Sequence, residues 1–517
     1  MTFNNIDLGI FIVYLPATMG LGIYVAFQKT DTAKDYFLAS KSLPWWIIGG
    51  SLIASNISAE QFIGMSGSGY VVGMAIASYE LMAAATLVIV AKFFLPVFIN
   101  KGIYTMPQFL EQRYDHRVRT GLAIFWILLF VFVNITSVLY LGGLAIKTIF
   151  GVPLFWAVLG LVIYSSTFSI FGGLKAVVWT EAVQVVVLIF GGLVTSYLVL
   201  QAVGGDFWNG LKVLVEKAPE KFDMILDKSN PEYSNLPGIS VLVGGMWIAN
   251  LYYWGNNQYI VQRALAARSV KEGQRGTVFA AFLKLLLPFI VVLPGIAAFV
   301  LGADIDKPDQ AYPWILSRYV TVGIRGLALA ALVAAIGSSI SAMVNSASTI
   351  FTLDIYNNLI NKGASEKRQV KVGQIAATVA LLIGFIMAPQ LGSMDQVFQY
   401  IQEYTGFISP GIVAIFLFGL FWKKTSANAA LWVVILSIPV SAGMKVLLPD
   451  FPFMDRMGVS FLIMAAILVI VSMMENKGAD DPKGFTYAPG TFKTDTVFNI
   501  ASLVIFAILA IIYYKFW

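Results

Sequence analysis

Long apolar runs recur along this chain, separated by short polar stretches. A helix needs about 20 apolar residues to cross a bilayer, and a window of that length finds fourteen such spans. They lie near residues 6–27, 45–70, 73–98, 120–149, 153–171, 178–203, 237–262, 276–303, 318–356, 370–390, 395–422, 427–448, 455–474 and 494–516. The span at 318–356 is too long for one straight crossing, so we expect it to project from the membrane. The pattern predicts an all-α integral membrane protein with about fourteen transmembrane helices in a single domain, residues 1–517.

Two of these spans, 45–70 and 237–262, contain polar and glycine-rich residues near their middle. The first reads ASNISAEQ over 54–61, and the second reads GGMWIANLYYWGN over 244–256. Polar backbone at membrane depth is costly unless it lines a cavity or binds something. Two interrupted helices in corresponding places are typical of a transporter's substrate and ion site. We therefore expect unwound backbone around 54–58 and 249–254, next to a functional site.

Basic residues alternate between the two sides of the predicted bundle. The loops after odd-numbered spans contain Lys29, Lys34, Lys41, Lys101, Arg113, Arg117, Arg119, Lys175, Arg263, Arg268, Lys271, Arg275, Lys362, Lys367, Arg368, Lys371, Lys423 and Lys424. The opposite loops are bare, or balanced to acidic, as in 204–236. Because basic loops face the cytoplasm, both termini are predicted to lie outside. Because the N-terminus lacks a basic n-region, residues 6–27 are predicted to be a retained first helix and not a cleaved signal. Residues 103–118 predict a short amphipathic helix on the cytoplasmic surface.

Composition narrows the class of protein further. The 517 residues are 58% hydrophobic and only 12% charged, about half the charged share of a soluble protein. The net charge of +6 is spread thinly through short loops, so we expect a lipid bilayer and no nucleic acid as partner. There is no cysteine, no GxxxxGK[ST] run, and one histidine, His116, in an arginine-rich loop, where we expect it to be solvated. Thiolate chemistry is excluded, ATP-driven pumping has no support, and we expect no enzyme activity.

Five segments resemble the sodium/solute symporter family, especially its bacterial sodium/galactose and sodium/glucose cotransporters. They read SLIASNISAEQFIGMSGSGY (51–70), GGLKAVVWTEAVQ (172–184), ANLYYWGNNQYIVQR (249–263), IGSSISAMVNSAST (336–349) and QYIQEYTGFISPG (399–411). They follow one another in order over nearly the whole chain. The resemblance implies sodium-driven symport of a monosaccharide such as galactose or glucose, with sodium and no organic cofactor. It also implies the inner membrane of a bacterium, and we expect a monomer or a loose homodimer.

The resemblance further implies a LeuT-like fold built from two inverted five-helix repeats. The first repeat would be residues 45–203, and the second 237–390, with an extension to 422 left open. Residues 6–27 would form an extra helix before the repeats, and 395–516 would supply the C-terminal helices. The substrate would bind between the repeats near mid-membrane, with access alternating between the two sides.

By the same resemblance, the sugar site uses a polar set and an aromatic set. The polar residues are Gln61, Glu80, Asn250, Lys284 and Gln402, and Tyr253 is the inner gate, with Trp254, Met65, Tyr79 and Phe398 packed around it. The chemistry agrees, since amide side chains both donate to and accept from sugar hydroxyls. Hydrogen bonding between helices is the alternative for the amides.

Glu80 and Lys284 are ionisable residues inside predicted spans. A charge at the bilayer centre costs at least about 2.5–3.5 kcal/mol on insertion scales, which makes each a candidate functional residue. The alternative is a structural ion pair, or the lining of a water-filled cavity. Position 83 is alanine where the galactose transporter pattern has a serine that touches the sugar. The preference for galactose over a related hexose is therefore open.

The ion site implied by the resemblance combines backbone carbonyls of Ala54, Ile57 and Ala335 with the hydroxyls of Ser338 and Ser339. A hard monovalent cation prefers oxygen ligands, and an unwound helix offers unpaired carbonyls. The small residues around Ser338 and Ser339 also suit close helix packing, the alternative explanation. Apart from Glu60, neither interrupted segment contains an acidic residue, so sodium is favoured over a proton as the coupling ion.

Glu181 stands where the family usually has an aspartate associated with sodium release toward the cytoplasm. A structural role, as a carboxylate at a helix end beside Lys175, is the alternative.

Two other functions of the protein stay open at this point. One is sodium symport of a different small solute, such as sialic acid, an amino acid or inositol. The other is a sugar sensor that does not transport.

Overall fold

The computed structural model describes residues 4–26, 42–103, 105–169, 173–394 and 396–517, and in these ranges the regular secondary structure is helical apart from one isolated bridge between Leu43 and Ala267. Ten helices in the described ranges are long and apolar enough to cross a membrane. They are Asn5–Ala26, Met74–Asn100, His116–Phe150, Gly173–Gly204, Val270–Val300, Ile324–Ile360, Glu366–Ser393, Ala427–Leu447, Phe453–Asn476 and Thr496–Lys515. The chain is therefore a multi-pass membrane protein.

The remaining predicted spans are broken or short. Val397–Thr405 and Ser409–Phe421 meet at a bend of 46° and make an eleventh span if they are counted together. Leu154–Ser169 is a shorter apolar helix. The two predicted spans that remain, 45–70 and 237–262, are the interrupted ones. The total of fourteen crossings stays a prediction. Shorter helices at Met106–Arg113, Phe207–Lys217 and Ala311–Tyr319 connect the spans.

The first broken helix, residues 45–71, begins after Pro44 and stops at Asn56. Ile57 has an extended backbone (φ −72°, ψ 97°), and the chain resumes as a π-helix at Glu60–Met65 and an α-helix at Ser66–Val71. The Ser58 N–H donates to the Gln61 Oε1 atom at 3.2 Å instead of closing the next helical turn. The predicted interruption is confirmed here. The break leaves the last carbonyls of the helix Trp45–Asn56 without helical N–H donors.

The second broken helix, residues 240–265, contains two breaks. Gly244 (φ −124°, ψ −119°) separates Ser240–Val243 from Gly245–Leu251, and Asn257 (φ −80°, ψ 121°) separates the π-helix Tyr252–Asn256 from Gln258–Leu265. The expectation of unwound backbone at 249–254 is therefore wrong. Asn250 lies in a regular turn, where its Nδ2 donates to the Met246 carbonyl at 3.1 Å. The Asn250 side chain therefore bonds to its own helix. The next break, at Asn257, lies about two helical turns further along the chain.

The serine helix, Ile324–Ile360, is the most enclosed span, with 94% of its apolar window buried. Its small residues allow close approach: a Cβ atom on Gly337 would lie 2.2 Å from the Tyr164 ring. Asp7 of the first helix caps its N-terminus, because Oδ1 accepts from the Gly323 and Gly326 N–H groups at 2.7 and 3.0 Å and Oδ2 accepts from Arg325 Nη2 at 2.5 Å. The extra first helix thereby holds the helix that carries Ser338 and Ser339.

The short helix expected within 103–118 is Met106–Arg113, and it is amphipathic as predicted. Its apolar side chains, such as Phe109, are buried in the hydrophobic core, whereas the Glu111 side chain is 43% exposed. Its position on the cytoplasmic surface stays a prediction. Arg113 at its end is fully buried and donates through Nε to the Gly419 carbonyl at 2.9 Å. His116, by contrast, is exposed as expected.

Replacing Asp7 with alanine tests the anchor of the serine helix. The change removes the Asp7 carboxylate from Arg325, whose side chain is only 12% exposed, and losing one partner of a buried pair destabilises by about 3–5 kcal/mol. We expect a melting midpoint several degrees lower in detergent, measured by the loss of the monodisperse size-exclusion peak after heating. Asp7→Asn, which retains the acceptor oxygen, should lose less. Equal stability of Asp7→Ala and the unaltered protein would contradict the anchoring role.

Candidate functional site

A polar cavity lies where the two broken helices meet Met74–Asn100, Val270–Val300 and Val397–Thr405. All ten residues expected at the sugar site line it: Gln61, Met65, Tyr79, Glu80, Asn250, Tyr253, Trp254, Lys284, Phe398 and Gln402. Ala83 lines it as well. The cavity measures about 50 Å³, which is room for only a few water molecules. A larger ligand requires these side chains to move apart.

Lys284 is at the centre of the polar lining. It is the last residue of the α-helical segment Val270–Lys284, and a π-helix follows at Pro288–Val292. Proline removes a backbone donor at the start of that π-helix. Its Nζ donates to the Glu80 Oε2 and Asn56 Oδ1 atoms and lies 5.0 Å from the centre of the Trp254 ring. Lys284 is 1% exposed and Glu80 is 3% exposed. The two residues therefore form a buried ion pair and also line the cavity.

Asn56 connects this ion pair to the tyrosine expected to form the gate. While its Oδ1 accepts from Lys284, its Nδ2 donates to the Tyr253 hydroxyl at 3.0 Å. The Tyr253 and Tyr259 hydroxyls are hydrogen-bonded to each other. The chain of contacts runs from Val270–Val300 through the first broken helix to the second. Lys284 is therefore linked to the Tyr253 hydroxyl through the single side chain of Asn56.

Aromatic side chains form another part of the cavity wall. Tyr79 and Phe398 meet edge to face with centroids 5.2 Å apart, and Tyr253 and Trp254 do the same at 5.0 Å. Buried amides and a buried ion pair beside aromatic faces suit a ligand that presents both hydroxyl groups and apolar CH surface.

The proposed sodium ligands lie where the serine helix passes the first broken helix. Ser339 Oγ donates to the Ser55 carbonyl at 3.3 Å, and the Ser338 Oγ is buried without a hydrogen-bond partner among the described residues. Ala335, Ser338 and Ser339 share one face of the serine helix because they are three and four residues apart. Ala54 and Ile57 belong to the helix end at the break, where the last carbonyls lose their helical donors. The buried Ser338 hydroxyl and these carbonyls are neutral oxygens, the ligand type that a hard monovalent cation prefers.

Glu181 is fully buried next to this region. It accepts hydrogen bonds from the Ser51 and Ser55 hydroxyls, the latter at 2.9 Å, and forms an ion pair with Arg263 Nη2 at 2.8 Å. It lies two turns inside Gly173–Gly204 and not at a helix end, while the side chain of Lys175 lies outside the described residues. Ser55 therefore contacts Glu181 through its hydroxyl and Ser339 through its carbonyl.

Sequence reasoning missed several residues of this site. Asn56 was inside the motif but was given no role, although it occupies the last polar position before the break. Arg263 was counted among cytoplasmic loop charges, yet it is fully buried against Glu181. Glu60 also lines the cavity, and in the part of the chain that the structure describes its Oε1 is buried without a hydrogen-bond partner. An arginine directly following the apolar and amide run YIVQ was the available signal for a buried partner.

Comparisons with known proteins agree with this architecture. The family model of the sodium:solute symporter family matches residues 36–437. A sodium/glucose cotransporter from Vibrio parahaemolyticus is 52% identical, over 99% of this chain and 98% of that protein. A human sodium/myo-inositol cotransporter 2 is 33% identical, over 87% of this chain and 70% of that protein.

Among solved structures, a substrate-bound, outward-open Na⁺-coupled sialic acid symporter matches with a TM-score of 0.80 at 24% identity, covering 92% of this chain and 98% of that one. Mhp1, a nucleobase-cation-symport-1 family transporter, matches with a TM-score of 0.56 at 15% identity, covering 90% and 98%. These likenesses establish a LeuT-like fold. On the extent of the family match and the identity to its members, the chain belongs to the sodium:solute symporter family.

Proposed function

We propose that this protein is a sodium-driven symporter that carries a monosaccharide across the membrane. The observation that carries the proposal is the single cavity lined by Gln61, Asn250, Gln402 and the Glu80–Lys284 pair. Its amides and charges match the donors and acceptors of a sugar ring. The similarity to a sodium/glucose cotransporter supports the same class of substrate. The family consists of transporters, so the protein is not an enzyme.

The coupling between ion and sugar is local in this proposal. Sodium binds the carbonyls of Ala54, Ile57 and Ala335 and the hydroxyls of Ser338 and Ser339, and so holds the first broken helix in its interrupted shape. That shape points Asn56 and Gln61 into the cavity. Sodium and sugar both bind the interrupted conformation of the first broken helix. Because coupling between two ligands is reciprocal, sodium raises the affinity for sugar by the same factor as sugar raises the affinity for sodium.

Alternating access follows from the two broken helices. We place them at the start of two inverted repeats, residues 45–203 and 237–390 or 237–422, which rock against each other around the cavity. Opening of the Tyr253 side requires its hydrogen bonds to Asn56 and Tyr259 to separate. Sodium then leaves past Glu181. The Ser55 hydroxyl donates to this carboxylate, and the Ser55 carbonyl accepts from Ser339 of the proposed ion site. With the basic loops in the cytoplasm, the termini are outside and the net movement is inward.

Cyclic polyols are the second candidate substrate. The 33% identity to a sodium/myo-inositol cotransporter favours them, and an inositol ring has the same hydroxyl chemistry as a hexose. The cavity wall does not discriminate between the two rings by charge.

The central test is uptake into proteoliposomes loaded without sodium. An inward sodium gradient should drive radiolabelled glucose or galactose above its outside concentration, and a pH gradient in sodium-free buffer should not. The physical reason is that the proposed ion ligands are neutral oxygens and do not titrate. Proton-driven accumulation, or sugar flux that only equilibrates with or without sodium, would overturn the proposal.

The ion site makes a separate prediction. Ser339→Ala removes one proposed oxygen ligand, and a lost interaction with a charged group costs roughly 1.5–3 kcal/mol, so half-maximal uptake should need about tenfold more sodium or more. The matched control is Ser341→Ala on the same helix, because that hydroxyl donates to the Ser165 and Gly337 carbonyls. Sodium titrations of initial uptake measure both. The same shift in both variants would argue for general helix packing instead of ligation.

Sugar preference depends on position 83 in this proposal. Ala83→Ser restores a hydroxyl to the cavity wall, and one hydrogen bond is worth about 1 kcal/mol, or roughly fivefold in affinity. Competition by a panel of monosaccharides against sodium-driven uptake should therefore show galactose gaining about fivefold relative to glucose. Ala85→Ser, outside the cavity lining, is the control. An unchanged order of sugars in Ala83→Ser would mean that this position does not contact the substrate.

A further inference from the structure

An apolar groove lies between three spans, His116–Phe150, the serine helix and Glu366–Ser393. It has a volume of about 380 Å³, within the range of small-molecule sites. Its lining is made of aliphatic and aromatic side chains, such as Ile127, Phe351 and Val379. The groove is therefore suited to a hydrocarbon chain, in contrast to the polar cavity at Lys284.

The groove faces the lipid through the helix Glu366–Ser393. Only 28% of the apolar window of this span is buried, compared with 94% for the serine helix. Ile375 and Val379 of the lining are 57% and 48% exposed. Lipid tails are as apolar as these side chains, so the groove is open to the acyl chains of the bilayer.

The length of the groove matches one half of the bilayer. Along Glu366–Ser393 the lining extends from Val372 to Ile383, which at a rise of 1.5 Å per residue is about 16 Å. One leaflet supplies half of a hydrocarbon core that is about 30 Å thick. An acyl chain that enters at Val372 therefore reaches Ile383 at about the depth where its leaflet ends.

Basic residues continue the groove at its Val372 end. Arg368 lies four residues before Val372, and Lys371 lies four residues before Ile375, so both basic residues share the helix face that lines the groove. Both are exposed, and neither forms an ion pair with a carboxylate in the part of the chain that the structure describes. Their charge is therefore available to an anionic group at the mouth of the groove.

The loop around these two residues adds further positive charge. Residues 361–371 also contain Lys362 and Lys367, with Glu366 as the one acidic residue. This loop follows the ninth predicted span, on the side that is predicted to be cytoplasmic. Cytoplasmic leaflets contain anionic lipids, and basic pockets between transmembrane helices on that side bind their headgroups. The basic loop and the apolar groove are thus arranged in the order of a phospholipid's headgroup and tail.

Tyr356 joins the basic end to the groove. Its side chain lines the groove, and its hydroxyl accepts from Arg368 Nε at 2.9 Å and from Asn361 Nδ2 at 3.4 Å. The guanidinium is thereby held at the mouth of the groove through Nε. Its two Nη groups are then directed to a phosphate, the group that arginine binds through paired N–H donors.

We propose that this groove binds one anionic phospholipid of the cytoplasmic leaflet, with its phosphate at Arg368 and Lys371 and an acyl chain along Val372–Ile383. The lipid also contacts the serine helix, because Ala347 belongs to the opposite wall. Ala347 lies about two helical turns after Ser339. A bound lipid therefore packs against the helix that carries the proposed sodium ligands.

The test counts lipid bound to the purified full-length protein by native mass spectrometry. Delipidated protein in detergent is titrated with phosphatidylglycerol and, separately, with phosphatidylcholine that has the same acyl chains. We expect the first phosphatidylglycerol to bind at least tenfold more tightly than phosphatidylcholine. One basic residue beside an anionic headgroup contributes about a factor of five in affinity. The double variant Arg368→Gln and Lys371→Gln should therefore weaken the first phosphatidylglycerol about 25-fold.

A second variant tests the apolar part of the site and leaves both charges in place. Val379→Trp fills the groove at a lipid-exposed position, so the protein core is spared and phosphatidylglycerol binding should fall at least tenfold. Leu382→Trp, at a 52% exposed position outside the lining, is the steric control. Lys423→Gln together with Lys424→Gln removes two charges from another basic loop and is the charge control. Both controls should bind phosphatidylglycerol like the unaltered protein.

Four results would overturn the lipid site. They are equal affinity for the two lipids, unchanged phosphatidylglycerol binding in either test variant, an equal loss in a test variant and its control, and displacement of the lipid by inorganic phosphate at equal concentration. Inorganic phosphate has no acyl chain, so we expect it not to compete. The assay contains neither a sodium gradient nor a sugar, so its outcome is independent of the proposed transport function.

Discussion

The organisation of this transporter depends on one constraint, that backbone polar groups at membrane depth must be satisfied. At Ile57 and Ser58 the helix stops, and the Ser58 N–H is satisfied by the side chain of Gln61 in the next segment. The carbonyls on the other side of the break have no helical donors. One of them, that of Ser55, accepts from Ser339. The same break therefore frees carbonyl oxygens for the proposed ion site and fixes the position of a cavity amide, Gln61.

The sequence predicted most of the fold because membrane helices follow from length and hydropathy alone. All fourteen predicted segments contain helix, and the break in the first interrupted span falls within the expected residues. The two breaks in the second flank the expected residues 249–254, at Gly244 and Asn257. Sequence alone does not locate them, because whether Asn250 bonds to its own helix or to a ligand depends on the surroundings. Here it bonds to the Met246 carbonyl.

The candidate site was predictable as a set and unpredictable in its connections. The resemblance named ten cavity residues, and all ten line one cavity. It gave no role to Asn56, which links Lys284 to Tyr253, or to Arg263, which pairs with Glu181. By the positive-inside rule, an arginine near the end of a predicted span is interpreted as a charge in a cytoplasmic loop. Arg113 and Arg263 both contradict that interpretation, since each is buried with carbonyl or carboxylate partners. Partners from distant segments are not visible in a local pattern.

The Glu80–Lys284 pair explains how a small cavity can serve a larger ligand. A buried ion pair is a weak source of stability, because desolvation offsets much of the attraction between the charges. Its value here is that both charges are satisfied, through each other and through Asn56, while the cavity holds only about 50 Å³. In the proposed function, sugar hydroxyls take the place of Asn56 as the acceptor for Lys284 and donate to Glu80. Lys284 then keeps two hydrogen-bond partners, and Asn56 is released from it. Asn56 is also the residue bonded to Tyr253, so under this proposal ligand binding reaches the proposed gate through one side chain.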